Sequence, residues 1–177
     1  MGERRNGPAA EVALMGMLFA MAMALSFAES MLPVLPMLPP GFKLGLSNII
    51  TMYTLFILGT KKGFAIAVMK SVFVLLTRAP MAAYLSLCGG LLSVLAMSLA
   101  AKLRPLREDY LLLSVIGALA HNFGQLLASV SYTGTVMFYY FPVLVVSGVI
   151  MGIVTGVVLK VVMPYINKIG TFSRPSR

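Results

Sequence analysis

Three stretches of this chain, Leu44–Thr60, Ala79–Ala101 and Tyr110–Leu159, contain no Asp, Glu, Lys or Arg at all. Uncharged runs of that length constrain the fold more than any motif, because the helices they form must end up in a protein core or in lipid. Only 11% of the 177 residues are charged, against about 25% in an average soluble domain. Hydrophobic residues make up 59%, and the mean hydropathy is +0.95. A crossing of the hydrocarbon layer takes ~20 helical residues, so the chain holds material for about six crossings and little else. The expected fold class is therefore all-α: a polytopic integral membrane protein with six transmembrane helices in one bundle. A separate soluble catalytic domain has no room.

The expected helices are Val12–Met31, Leu44–Thr60, Gly63–Thr77, Pro80–Lys102, Tyr110–Val130 and Phe138–Met163. The last two come from one apolar stretch, divided where Ser129-Val-Ser-Tyr-Thr-Gly134 supplies small, polar and glycine residues that favour a turn. Residues 12–163 form the bundle, with an N-terminal tail at 1–11 and a basic C-terminal tail at 164–177. Arg4 and Arg5 precede an apolar run longer than a typical signal core, and Glu29 with the prolines after it does not resemble a cleavage site. The basic residues set the orientation. Arg4, Arg5, Lys61, Lys62, Lys102, Arg104, Arg107, Lys160, Lys168, Arg174 and Arg177 fall on one side of a six-crossing layout, and only Lys43 and Arg78 on the other. Positive-inside bias then puts both termini in the cytoplasm, in a multi-pass protein of the cell membrane. The net charge of +9 is topological, and nucleic acid is not an expected partner.

Lys70 stands alone in the middle of an otherwise lipid-compatible segment, Gly63–Thr77. A cation at that depth costs ~2.5–3.5 kcal/mol on insertion scales unless protein or water surrounds it, so such residues face a bundle interior. Other polar residues collect at the same level: Glu29, Lys43, Ser47, Asn48, Arg78, His121, Asn122 and Gln125. His121 and Gln125 lie one turn apart on the same helix and share a face. The candidate substrate-binding residues are thus Glu29, Lys43, Asn48, Lys70, Arg78, His121, Asn122 and Gln125. Three cations against one carboxylate favour a small anionic ligand. Plainer roles stay open at this level: Lys43 and Arg78 as interfacial anchors, Lys70 and Glu29 as a structural ion pair, and His121, Asn122 and Gln125 as helix-bridging groups.

Two further features flank these residues. On the first helix Gly16, Ala20, Ala24 and Ala28 recur at helical spacing, with Met15, Met17, Met21 and Met23 beside them. Small residues so aligned let another helix approach closely, either within the bundle or from a partner. Gly16, Ala20 and Ala24 are the candidate partner-helix interface. Between the first two helices runs Leu32-Pro-Val-Leu-Pro-Met-Leu-Pro-Pro-Gly-Phe42, whose prolines forbid a helix and favour a stiff, extended path. Its apolar character suits a lid over an outward-opening cavity.

Catalytic patterns are lacking. Asp109 is the sole aspartate, so no paired aspartates exist to hold magnesium on a diphosphate. HExxH, Walker A and Ser/His/Asp arrangements are absent too. Cys88 is the single cysteine, which excludes an internal disulfide and a cysteine-based metal site. No enzyme activity, metal or cofactor is expected.

The run Pro40-Gly-Phe-Lys-Leu-Gly-Leu-Ser-Asn48 resembles the signature of the Gx transporter family, also labelled heptaprenyl diphosphate synthase component I. It departs at Ser47, where that pattern leads to Ala. The resemblance extends from about Val12 to Met163 in layout and segment spacing, and the family is itself similar to the S components of energy-coupling factor transporters. It implies a six-helix bundle that binds a scarce metabolite (a vitamin, a flavin, or an isoprenoid or quinone precursor) from outside, beneath the loop joining helices one and two. It also implies a transmembrane coupling protein, gripped through Gly16, Ala20 and Ala24, and two cytoplasmic ATPases. The second label points instead to a non-catalytic membrane subunit associated with heptaprenyl diphosphate or menaquinone synthesis, or with membrane redox chemistry.

Overall fold

The computed structural model describes residues 8–31, 45–103 and 109–169. They form six α-helices: α1 (Pro8–Met31), α2 (Asn48–Leu58), α3 (Thr60–Thr77), α4 (Pro80–Ala100), α5 (Tyr110–Thr133) and α6 (Phe141–Ile169). A short 3-10 helix, Thr135–Tyr140, leads into α6. Lys43 and the proline-rich segment 32–42 lie outside the described residues, as does most of the C-terminal tail.

The helix ends follow from local chemistry. Asp109 caps α5, its carboxylate accepting from the Leu111 and Leu112 N–H groups at 3.0 and 3.1 Å. Pro80 opens α4, where its missing N–H costs nothing. Gly59 alone joins α2 to α3, with φ at +93°, a conformation that a side chain disfavours.

Six crossing helices were expected, and the structure corrects that number. Among the described residues, four segments are long and apolar enough to cross a membrane: Ala9–Glu29, Pro80–Ala100, Tyr110–Thr133 and Thr135–Val161. The uncharged run from Leu44 does not become one helix, because Gly45 takes φ +91° and a turn follows before Asn48. The 11 residues of α2 therefore span only ~16 Å, about half of the hydrocarbon layer. The 18 residues of α3 are diluted by Lys61, Lys62 and Lys70. α3 keeps one apolar face exposed, through Val72, Leu75 and Leu76, whereas α2 is enclosed by its neighbours. α2 packs against α1, α3, α4, α5 and α6, so its ends are met by protein, and interrupted helices at membrane depth are stable only where that holds. Around the outside lie exposed apolar side chains such as Leu76, Leu95, Val146 and Ile150. The chain is a helical membrane protein.

Glycines set the tightest contacts. On α6, Gly148, Gly152 and Gly156 recur once per turn against α5; a Cβ at Gly152 would lie 2.6 Å from Val115 Cα, and one at Gly156 2.8 Å from Leu111 Cα. On α5, a Cβ at Gly124 would come within 2.7 Å of the Cys88 carbonyl oxygen of α4. The backbones of α4, α5 and α6 are thus pressed together as small-residue helix pairs in membranes are. The α1 helix packs mainly on α2 and α3, through Leu18, Ala22 and Met23 against Ile50 and Ile66.

Candidate functional site

A narrow polar chamber lies where α1, α3, α4, α5 and the turn before α2 meet. α1 supplies Ser26 and Glu29, the turn Gly45 and Ser47, and α3 Lys70; Ser86 of α4 and His121 with Gln125 of α5 complete its polar wall. The void is about 20 Å³, room for a water molecule or two. Glu29 is 7% exposed, and Lys70, His121 and Gln125 are each 3% exposed. These are charged and polar groups removed from both lipid and bulk water.

The turn before α2 is built around Glu29 and Gly45. Glu29 Oε1 accepts the Gly45 N–H at 2.5 Å, which ties the end of α1 to the turn. The Asn48 N–H in turn donates to the Gly45 carbonyl at 2.8 Å, starting α2. Gly45 is irreplaceable on two counts: its positive φ, and a Cβ that would sit 2.9 Å from Asn48 Nδ2. Lys70 Nζ donates to Asn48 Oδ1 at 2.7 Å, so the ammonium is held by the first residue of α2. On the opposite wall Gly89 of α4 lets His121 and Gln125 lie flat; a Cβ there would meet His121 Cε1 at 2.8 Å and Gln125 Cγ at 2.9 Å.

Four buried side-chain polar atoms among the described residues have no hydrogen-bond partner, and three belong to this chamber: Glu29 Oε2, His121 Nδ1 and Gln125 Oε1. The fourth, Thr51 Oγ1, is on α2. An unmet buried polar atom costs about 1–3 kcal/mol, and the three side chains that carry these atoms line one void.

Of the residues expected to converge, Glu29, Asn48, Lys70, His121 and Gln125 do so. Asn122 turns away, its amide donating to the Leu144 carbonyl at 2.8 Å and to Ser147 Oγ at 3.2 Å, so that it bridges α5 to α6. Arg78 ends α3, half-buried, and does not line the chamber. Lys43 lies outside the described residues. The expected surplus of cations thus reduces, among the described lining residues, to one ammonium and one carboxylate. Ser26, Ser86 and Gly89 escaped the sequence reading; an interior Gly89-Gly90 pair, costly to a helix, was the available signal for the last.

The small residues of α1 lie elsewhere. Gly16, Ala20, Ala24 and Ala28 are all exposed, and Gly16 has no atom within 4 Å of where a Cβ would stand. They face away from the bundle, beside the exposed Met17 and Met21.

A family model described as heptaprenyl diphosphate synthase component I matches residues 18–162. The chain belongs to that family. The matched span takes in the whole chamber, from Ser26 to Gln125, and the α5–α6 glycine contact as well. The Gly45 turn lies within the matched span. No curated protein and no solved structure is significantly similar to the chain.

Proposed function

We propose that this chain is the substrate-binding membrane subunit, S-component-like, of an energy-coupling factor type uptake transporter for a small metabolite bearing an acidic group. The observation that carries the reading is the polar chamber, where Lys70 and Glu29 are buried together beside three unpartnered polar atoms. A bundle built only for stability gains nothing from such an arrangement, since apolar side chains of similar volume serve as well or better. In this reading Lys70, steadied by Asn48, receives the acidic group, and Glu29, His121 and Gln125 orient the rest.

The chain performs no chemistry on its cargo. Energy comes from a transmembrane coupling protein and two cytoplasmic ATPases, with the outward Gly16, Ala20 and Ala24 face as the contact. Both termini are cytoplasmic, in keeping with the placement of the basic residues. Thermal unfolding of the purified chain against anionic vitamins, flavins and prenyl diphosphates tests the reading: a ligand should stabilise the wild type and fail to stabilise Lys70→Ala. Loss of every ligand effect in the wild type itself counts against it.

The family description favours a second reading, a non-catalytic membrane subunit that supports heptaprenyl diphosphate or menaquinone synthesis. Asp109, the sole aspartate, is engaged in capping α5, which speaks against a magnesium–diphosphate site of the chain's own. Co-purification separates the two. Recovery with a coupling protein and ATPases supports uptake, and recovery with a prenyl synthase, without ligand uptake, supports the alternative.

A further inference from the structure

We infer that the ligand of the chamber is amphoteric, carrying N–H or O–H donors on a compact polar head in addition to an acidic group. The inference rests on the reading of the chamber as a binding site, and narrows it. The unpartnered atoms decide the matter. Glu29 Oε2 is a carboxylate oxygen and Gln125 Oε1 an amide oxygen, both acceptors, and the His121 ring, which lies against Gly89, carries the third unpartnered atom, Nδ1. Each belongs to a side chain more than nine-tenths buried, and all three border the same void.

When no ligand is bound, one or two waters fit the space and donate to these atoms. A ligand displaces that water, and it gains affinity only if it reproduces the donated hydrogen bonds. An acceptor-only anion, such as a plain carboxylate, serves Lys70 but sets its own oxygens against Glu29 Oε2 and Gln125 Oε1. An acid that also presents N–H groups satisfies both ends. The acceptor wall is fixed in place: His121 and Gln125 lie one turn apart against Gly89, and Glu29 is anchored through its other oxygen to the Gly45 N–H. Its demand for donors is therefore built in.

The test uses the purified full chain in lipid nanodiscs, with thermal unfolding and equilibrium binding read at millimolar probe. The probes are 4-aminobenzoate against benzoate, orotate against 1,3-dimethylorotate, and inorganic diphosphate. Glu29→Gln is the matched variant, because an amide oxygen can still accept from the Gly45 N–H while the second position becomes a donor. The donor-bearing member of a pair should bind the wild type at least tenfold more tightly than its donor-free partner, and Glu29→Gln should erase that preference. Acceptor-only probes binding as well as or better than donor-bearing ones overturns the inference while leaving the chamber a binding site. A donor preference unchanged in Glu29→Gln overturns it too. If no probe binds the wild type, the reading of the chamber as a site for small polar acids falls, and the inference with it.

Discussion

The Lys70 ammonium donates to Asn48 Oδ1 at 2.7 Å, joining the middle of α3 to the first residue of α2 beside a void that also holds Glu29. Removing the cation separates a ligand-binding role from a structural one. In Lys70→Met the unbranched stem is kept, but Glu29 stays buried without its neighbouring cation; removing one member of a buried pair costs about 3–5 kcal/mol, whereas Lys70→Met combined with Glu29→Gln removes both charges. The orphaned Asn48 oxygen adds about 1–3 kcal/mol. We expect Lys70→Met to melt well below the wild type, the double variant to melt closer to it, and both to bind ligand at least tenfold more weakly. A variant that fails to fold while Lys70→Arg is intact points to a structural cation instead.

Gly89→Ala tests the opposite wall. The added methyl group lies under 3 Å from both His121 and Gln125, so those side chains must be driven into the chamber. Overpacking of this kind costs about 1–3 kcal/mol. The neighbouring Gly90→Ala meets Ala67, its Cβ at 3.3 Å and its Cα at 3.9 Å, and is the control. Ligand binding should fall sharply in the first and little in the second. Equal binding by both removes the wall from the site.

Asp109→Ala removes the acceptor for two N–H groups at the start of α5 and should cost about 1 kcal/mol in thermal unfolding. Ligand affinity and partner recovery should not change, since the cap lies outside the chamber. A loss of prenyl synthase recovery in this variant, with the fold intact, would instead assign the aspartate to the second reading.

Much of the chamber was legible because a charge in an apolar segment has one place to go. Lys70 and Glu29 had to turn inward, and the one-turn spacing of His121 and Gln125 put them on one face. Asn122 follows His121 by a single residue, about 100° around the helix, and so faces α6 rather than the chamber. The break before α2 was hidden, since Gly45 sits in an uncharged run that reads as continuous helix and only its backbone angle shows the interruption. Small-residue ladders were ambiguous for a different reason. The same spacing occurs on α1 and on α6, and composition does not say which one the bundle uses for itself. Gly148, Gly152 and Gly156 are pressed on α5, whereas Gly16, Ala20 and Ala24 are left outside.

That difference between the two ladders supplies the last prediction. A leucine at position 152 has to occupy space within 2.6 Å of the Val115 backbone, so Gly152→Leu should separate α5 from α6 and lower the melting temperature severely or abolish folding. A Cβ at position 16 has nothing within 4 Å and Gly16 and Ala20 are both exposed, so Gly16→Leu and Ala20→Leu should melt as the wild type does and bind ligand unchanged. What they should lose is recovery with the coupling protein and ATPases, because a small-residue face works by close backbone approach and a leucine holds the partner helix off. Unaltered recovery and uptake in both variants shows that the outward ladder is a lipid-facing surface, and the coupling contact must then be sought on another helix.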